Sequence, residues 1–111
     1  FDAILLMQTL HDIANRDSQA ALTLLETLFG LLRPGGVLGV SDHHGLPQYD
    51  NAQLHRMLES EAVALARRAG FRVESSELLR VATDDHSRAI FDPRLARNTD
   101  RFLLRLVKPE E

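Results

Sequence analysis

Four short groups in the chain carry side chains able to do chemistry near neutral pH: His11-Asp12, Asp42-His43, His55-Arg56 and Asp84-Asp85-His86. Imidazole titrates close to neutrality and suits a general base, and a neighbouring carboxylate can orient it or stabilise its charged form. Arg56 offers a planar guanidinium for a carboxylate or phosphate, although such residues more often pair with a nearby Asp on the surface. His11, Asp12, Asp42, His43, His55 and His86 are also metal-ligand types, and two histidines with one carboxylate make a sufficient set. No local spacing such as His-Glu-x-x-His occurs. Each ligand would come from a different loop, so the sequence assigns no metal. On the plainer reading, Asp12 and Asp42 cap turns and the histidines, His44 among them, face solvent.

The elements that position these groups follow from pattern. Ala3 to Met7 sits in a near-continuous apolar run from Phe1, which suits a strand buried on both faces. Gln8 to Asp12 is its polar exit. Ala21, Leu24, Leu25, Leu28, Phe29 and Leu32 fall at helical spacing, with Ser18 as the expected N-cap. Pro34-Gly35-Gly36 stops that helix, and Val37 to Val40 is a second strand ending in a loop with Asp42, His43 and His44. Ala52 to Ala69 is expected to be one helix, capped by Asp50 or Asn51, or later by Ser60, and closed by Gly70. Phe71 to Glu74 alternates like a half-wet strand, and Arg101 to Lys108 is a last strand stopped by Pro109. Leu78 to Asp100 has no period and holds many charges, including Arg97, beside Asn98. A polar loop of that length is uncommon unless it is functional or disordered. In an open α/β sheet, ligand chemistry lies outside the carboxyl ends of the strands, which is where His11, Asp12, Asp42 and His43 fall.

Composition bounds the rest. One domain of 111 residues, 44% hydrophobic and 26% charged, can bury a modest core. A net charge of −3 does not favour nucleic acid as a partner. The absence of cysteine removes disulfides, thiolate metal sites and cysteine nucleophiles. No apolar run reaches membrane-spanning length and no signal peptide is visible, which points to a cytoplasmic protein without membrane contact. The chain begins at Phe1 rather than Met, so we expect residues to precede it. Glu110 and Glu111 read as a solvated tail.

Phe1-Asp2-x-Ile4-Leu5, the amphipathic helix, Leu32-x-Pro34-Gly35-Gly36-x-Leu38 and Ala69-Gly70-Phe71 together resemble the C-terminal half of a class I S-adenosylmethionine-dependent methyltransferase. More narrowly, the chain is similar to a group of bacterial predicted methyltransferases. The marks are His11-Asp12, Asp42-His43, His55-Arg56, Asp84 with Asp85-His86, Phe91-Asp92-Pro93 and Thr99-Asp100-Arg101-Phe102. The family's glycine-rich loop and ribose-binding acid are absent, and Leu58 stands where the narrower group usually has Asp. The resemblance implies strands four to seven of a seven-stranded, partial Rossmann-like α/β sheet, with the last strand antiparallel between its neighbours and helices on both faces. It implies methyl transfer from S-adenosylmethionine to a small-molecule acceptor. His11, Asp12, Asp42 and His43 would be catalytic, Gln8, Thr9, Leu10 and His11 would border the cofactor, and His55, Arg56, Asp85 and His86 would meet the substrate. Two readings compete with it. A catalytically incompetent piece would act only by docking or self-association through the bare edge of its first strand, and a metal-dependent hydrolase would use the histidines.

Overall fold

The computed structural model describes residues 1–82, 84–95 and 99–110; Arg97, Asn98 and Glu111 lie outside them. Four strands form one sheet: β1 (Ala3–Met7), β2 (Val37–His43), β3 (Arg72–Ser76) and β4 (Arg101–Val107). Their order is β1-β2-β4-β3. β1 runs parallel to β2, and β4 runs antiparallel to both β2 and β3. The last strand therefore lies between its neighbours, as expected, and β1 is an edge.

Strand alternation sends Leu38, Val40 and Asp42 of β2, with Phe102, Leu104 and Leu106 of β4, to one buried face. Ala21, Leu22, Leu25, Ala62, Leu65 and Ala66 from the helices join the apolar members in a single cluster. Fully burying each large side chain there contributes about 1.5–3 kcal/mol. Helices on both faces were the expectation, but the described helices supply this one cluster. On the other face Leu5 is 74% exposed and Met7 47%.

Three local features differ from the pattern reading, each for a definable reason. Gln8 adopts a left-handed backbone, φ 60°, and donates its N–H to Ser41 O at 2.6 Å. The chain turns at once, so α1 (Leu10–Arg16) begins inside the expected polar exit, with Leu10 enclosed. Asp17, extended, separates α1 from α2 (Ser18–Leu31), and its carboxylate accepts from the N–H groups of Gln19 and Ala20. Asp17 is thus the cap, and Ser18 is the first helical residue. β2 does not stop at Val40; Asp42 and His43 continue it, paired with Phe102 and Arg101.

The expected single helix from Ala52 to Ala69 is two. α3 (Asn51–Leu54), capped by Asp50, ends at His55, whose φ is 58°. α4 (Glu59–Ala69) starts after Leu58, whose side chain cannot cap, and ends at Gly70 with φ 109°. Ser60 lies inside α4. Between the helices, Met57 leaves the helical path: its N–H donates to His43 O at 3.0 Å, and its carbonyl accepts from Gly45.

Arg56 explains the break. It is fully buried, and its guanidinium donates two bonds to Asp84 at 2.6 and 2.9 Å, plus one each to the carbonyls of His44 and Arg88. Asp84 also accepts the Asp100 N–H at 2.7 Å. Asp100 in turn accepts from Nε and Nη2 of Arg80, the Val81 N–H and His86 Nε2. These bonds overcome the upward push of burial and hold the Asp100 carboxyl at about 2. The described part of the long polar loop is thereby tied to the mouth of the sheet. No described helix is long and apolar enough to cross a membrane.

Removing one partner of a buried, bidentate pair leaves the other charge without compensation. Arg56→Ala should lower stability by about 3–5 kcal/mol in urea unfolding at pH 7. The double change Arg56→Met, Asp84→Leu, which strands no charge, should cost less than either single change. A double variant as unstable as the sum of the singles would contradict this account.

Candidate active site at the carboxyl ends of the first two strands

β1 and β2 are parallel neighbours, so the first turn of α1 after β1 comes to lie beside the end of β2. His11 in that turn and Asp42 in β2 meet there. Asp42 Oδ2 accepts the His11 N–H at 2.7 Å, Oδ1 bonds His11 Nδ1 at 2.6 Å, and Oδ1 also accepts the His43 N–H at 2.8 Å. Asp42 is 0% and His11 3% exposed. A carboxylate can only accept here, so Nδ1 carries a ring proton. Asp12 Oδ1 lies 3.2 Å from His11 Nε2 and 3.6 Å from His55 Nδ1. The left-handed backbone at His55 turns its ring edge-on to both His11, at 6.0 Å, and Phe91, at 5.2 Å.

The two central histidines are tuned in opposite directions. Burial alone would push the His11 imidazole down, but the Asp42 hydrogen bond and the charges of Asp42 and Asp12 together raise it. His43 is pushed down to about 4 by burial, with His11, Arg101 and Arg56 adding to the effect against Asp42. Neutral His43 bonds Thr99 Oγ1 through Nδ1 at 2.8 Å. With Gln8, Ile90, Phe91, Thr99 and Arg101, it lines a cleft of about 180 Å³. Two hollows of about 490 Å³ lie along α4 and β3 and beside Gly35 and Pro109, and neither holds a histidine.

His11, Asp12, Asp42 and His43 thus come together at the strand ends, and His55 joins them from the end of α3. Gln8 lines the cleft, Thr9 turns its hydroxyl back to the Met7 carbonyl, and Leu10 is core. Arg56, expected at the substrate, is enclosed by Asp84. Asp85 bonds Ser87 and Arg88, while His86 bonds Asp100 and packs edge-on to His44. His44 is half-buried rather than solvent-facing, and burial lowers its pKa. Sequence reasoning misses Thr99 as the partner of His43.

Between pH 6.5 and about 4, the unfolded chain protonates a histidine that folded His43 keeps neutral, so stability should fall as pH falls through that window. His11 has the opposite sign. Its contribution is complete below 6.5 and is lost as pH rises through its raised folded pKa. His43→Asn, which retains a polar partner for Thr99, should flatten the loss between pH 6.5 and 4 in denaturant titrations. An unchanged slope would contradict the assignment.

The sequence matches no known protein-family model. No curated protein matches it. Solved structures share its fold. An O-methyltransferase family protein from Burkholderia thailandensis superposes with TM-score 0.60 at 15% identity, over 99% of this chain and 30% of that one. A chain in the complex between the Haloferax volcanii Trm112 methyltransferase activator and a proposed methyltransferase gives 0.61 at 19%, over 99% and 54%. The [4+2]-cyclase SpnF gives 0.62 at 19%, over 100% and 50%. The chain therefore spans roughly a third to a half of these proteins. At such identities the likeness is one of architecture, and that architecture is a methyltransferase-like α/β fold.

Proposed function

We propose that this chain is the carboxyl-terminal part of a single methyltransferase domain, in a longer enzyme that moves a methyl group from S-adenosylmethionine to a small-molecule acceptor. The observation that carries this reading is the buried Asp42–His11 pair beside the carboxyl ends of two parallel strands. The cofactor, when bound, supplies an electrophilic methyl group. Gln8 and Thr9, at the open end of β1, suit its border. The adjoining cleft of about 180 Å³ is smaller than the ~300–1,000 Å³ typical of a small-molecule site, so these residues do not enclose it alone.

The chain's own chemistry is proton handling and orientation. Asp42 fixes the His11 tautomer and ring plane, which presents Nε2 to a hydroxyl or amine proton of the acceptor. A raised pKa makes Nε2 the stronger base, and Asp42 and Asp12 favour the imidazolium that results. His43, neutral and tied to Thr99, shapes the cleft without competing for the proton. His55 and Phe91 form the wall where an acceptor would rest, whereas Arg56, Asp85 and His86 hold the surrounding loop.

In the longer enzyme, His11→Gln should reduce kcat by about 10²–10⁴. Asp42→Asn, which disturbs tautomer and orientation, should reduce it at least tenfold. The wild-type rate should climb with pH through an apparent pKa above 6.5, and His11→Gln should lack that limb. Unchanged turnover in both variants would remove the pair from the site. Calorimetric titration of the 111-residue chain with S-adenosylhomocysteine should show no micromolar binding; such binding would mean that the strand-end loops hold the cofactor by themselves.

A further inference from the structure

His11, Asp12 and His55 form a cluster of three ligand-type side chains, of which the base catalysis proposed above uses His11 and the charge of Asp12 but gives His55 no proton to handle. We propose that they are a binding site for a divalent transition metal of the zinc class, held by His11 Nε2, His55 Nδ1 and an Asp12 carboxylate oxygen.

Three observations carry this. The first is distance. Asp12 Oδ1 is 3.2 Å from His11 Nε2 and 3.6 Å from His55 Nδ1, and all three ligand atoms lie within 4.8 Å of one another. Zinc bonds of about 2.0–2.1 Å give a tetrahedral ligand-to-ligand edge of about 3.3–3.4 Å, which those two separations bracket. The third edge closes by rotation of the His55 ring, whose side chain is 43% exposed.

The second is support behind the ligands. A metal-binding histidine usually donates its other ring N–H to a carboxylate, which fixes its tautomer and raises its basicity. His11 does this to Asp42, which is itself held by two backbone N–H groups.

The third is the backbone at His55. His55 closes α3 at φ 58°, a turn imposed by the buried Arg56 that follows it. Here the left-handed turn takes His55 out of α3 and brings Nδ1 to Asp12. Asp12 and His55 are both about half-exposed, which gives an ion an entry path. Two nitrogens and one oxygen suit zinc, cobalt or nickel, whereas magnesium and calcium favour oxygen ligands.

Three protein ligands leave at least one position for water. A bound ion would also occupy Nε2 and prevent it from taking a proton, so metal would inhibit methyl transfer. That consequence alone rests on the function proposed above.

The test is calorimetry of the purified protein with zinc chloride, without cofactor or acceptor. One zinc per chain should bind with micromolar or tighter Kd, and magnesium chloride should not compete. Asp12→Asn changes an exposed side chain, and His55→Asn places a residue that tolerates the left-handed backbone. Each should weaken binding at least tenfold. Asp42→Asn, acting through His11, should weaken it about 10–100-fold. Cobalt should give visible absorption bands that both ligand variants lose. No zinc binding by a folded protein, or binding unaltered in both ligand variants, would overturn the site. Because the readout is binding, zinc uptake by a protein without methyl transfer would leave the site standing and sink only the activity.

Discussion

The fully buried carboxylate of Asp42 sets the terms for the mouth of this sheet. A carboxylate without water must be satisfied by hydrogen bonds, and its donors come from two elements. The His11 N–H and ring arrive from the first turn of α1, and the His43 N–H comes from its own strand. That requirement fixes where α1 starts relative to β2 and how the His11 ring is turned. The same bonds turn Nε2 toward the half-exposed carboxylate of Asp12. Structural need and chemical capacity coincide in one interaction.

A second buried charge does comparable work from the other side. Arg56 joins Asp84 and, through it, Asp100, so the described part of the polar segment after β3 closes over the carboxyl ends of β1 and β2. This is why Phe91 reaches His55 and why Thr99 reaches His43. The cleft is shaped by residues far apart in the chain, held by charge pairs inside the protein. Salt screens exposed pairs strongly and buried ones far less, so this arrangement should tolerate ionic strength well.

The opposed tuning of His11 and His43 follows from the same geometry. Both rings are buried and lie 5.7 Å apart, yet only His11 has its ring bonded to Asp42. His43 gives Asp42 its backbone N–H and turns its ring to a neutral hydroxyl. One imidazole therefore has a hydrogen-bonded stabiliser for its charged form, whereas the other feels Asp42 only through space and burial outweighs it. The function proposed for His11 and the metal site proposed around it use the same nitrogen, which makes proton transfer and metal binding mutually exclusive there.

The sequence by itself determined the order of the major elements, the apolar runs of β1, β2 and β4, the stop at Pro34-Gly35-Gly36 and the close of α4 at Gly70. Each rests on local chemistry: side-chain period, a missing N–H, or a backbone angle that favours glycine. It also placed His11, Asp12, Asp42 and His43 at strand ends, because strand exits are visible as switches from apolar to polar. Only the tertiary structure decided the rest. Asp42 and His43 extend β2 because β4 is there to pair with them, although their polarity reads as loop. His55 breaks a good helical pattern because Arg56 has a buried carboxylate 28 residues away to reach. The charged run from Asp84 to Asp100 reads as solvated until those partners are known. Ion pairs between distant residues leave no period in a sequence, so the roles of Arg56, Thr99 and His55 became legible only in three dimensions.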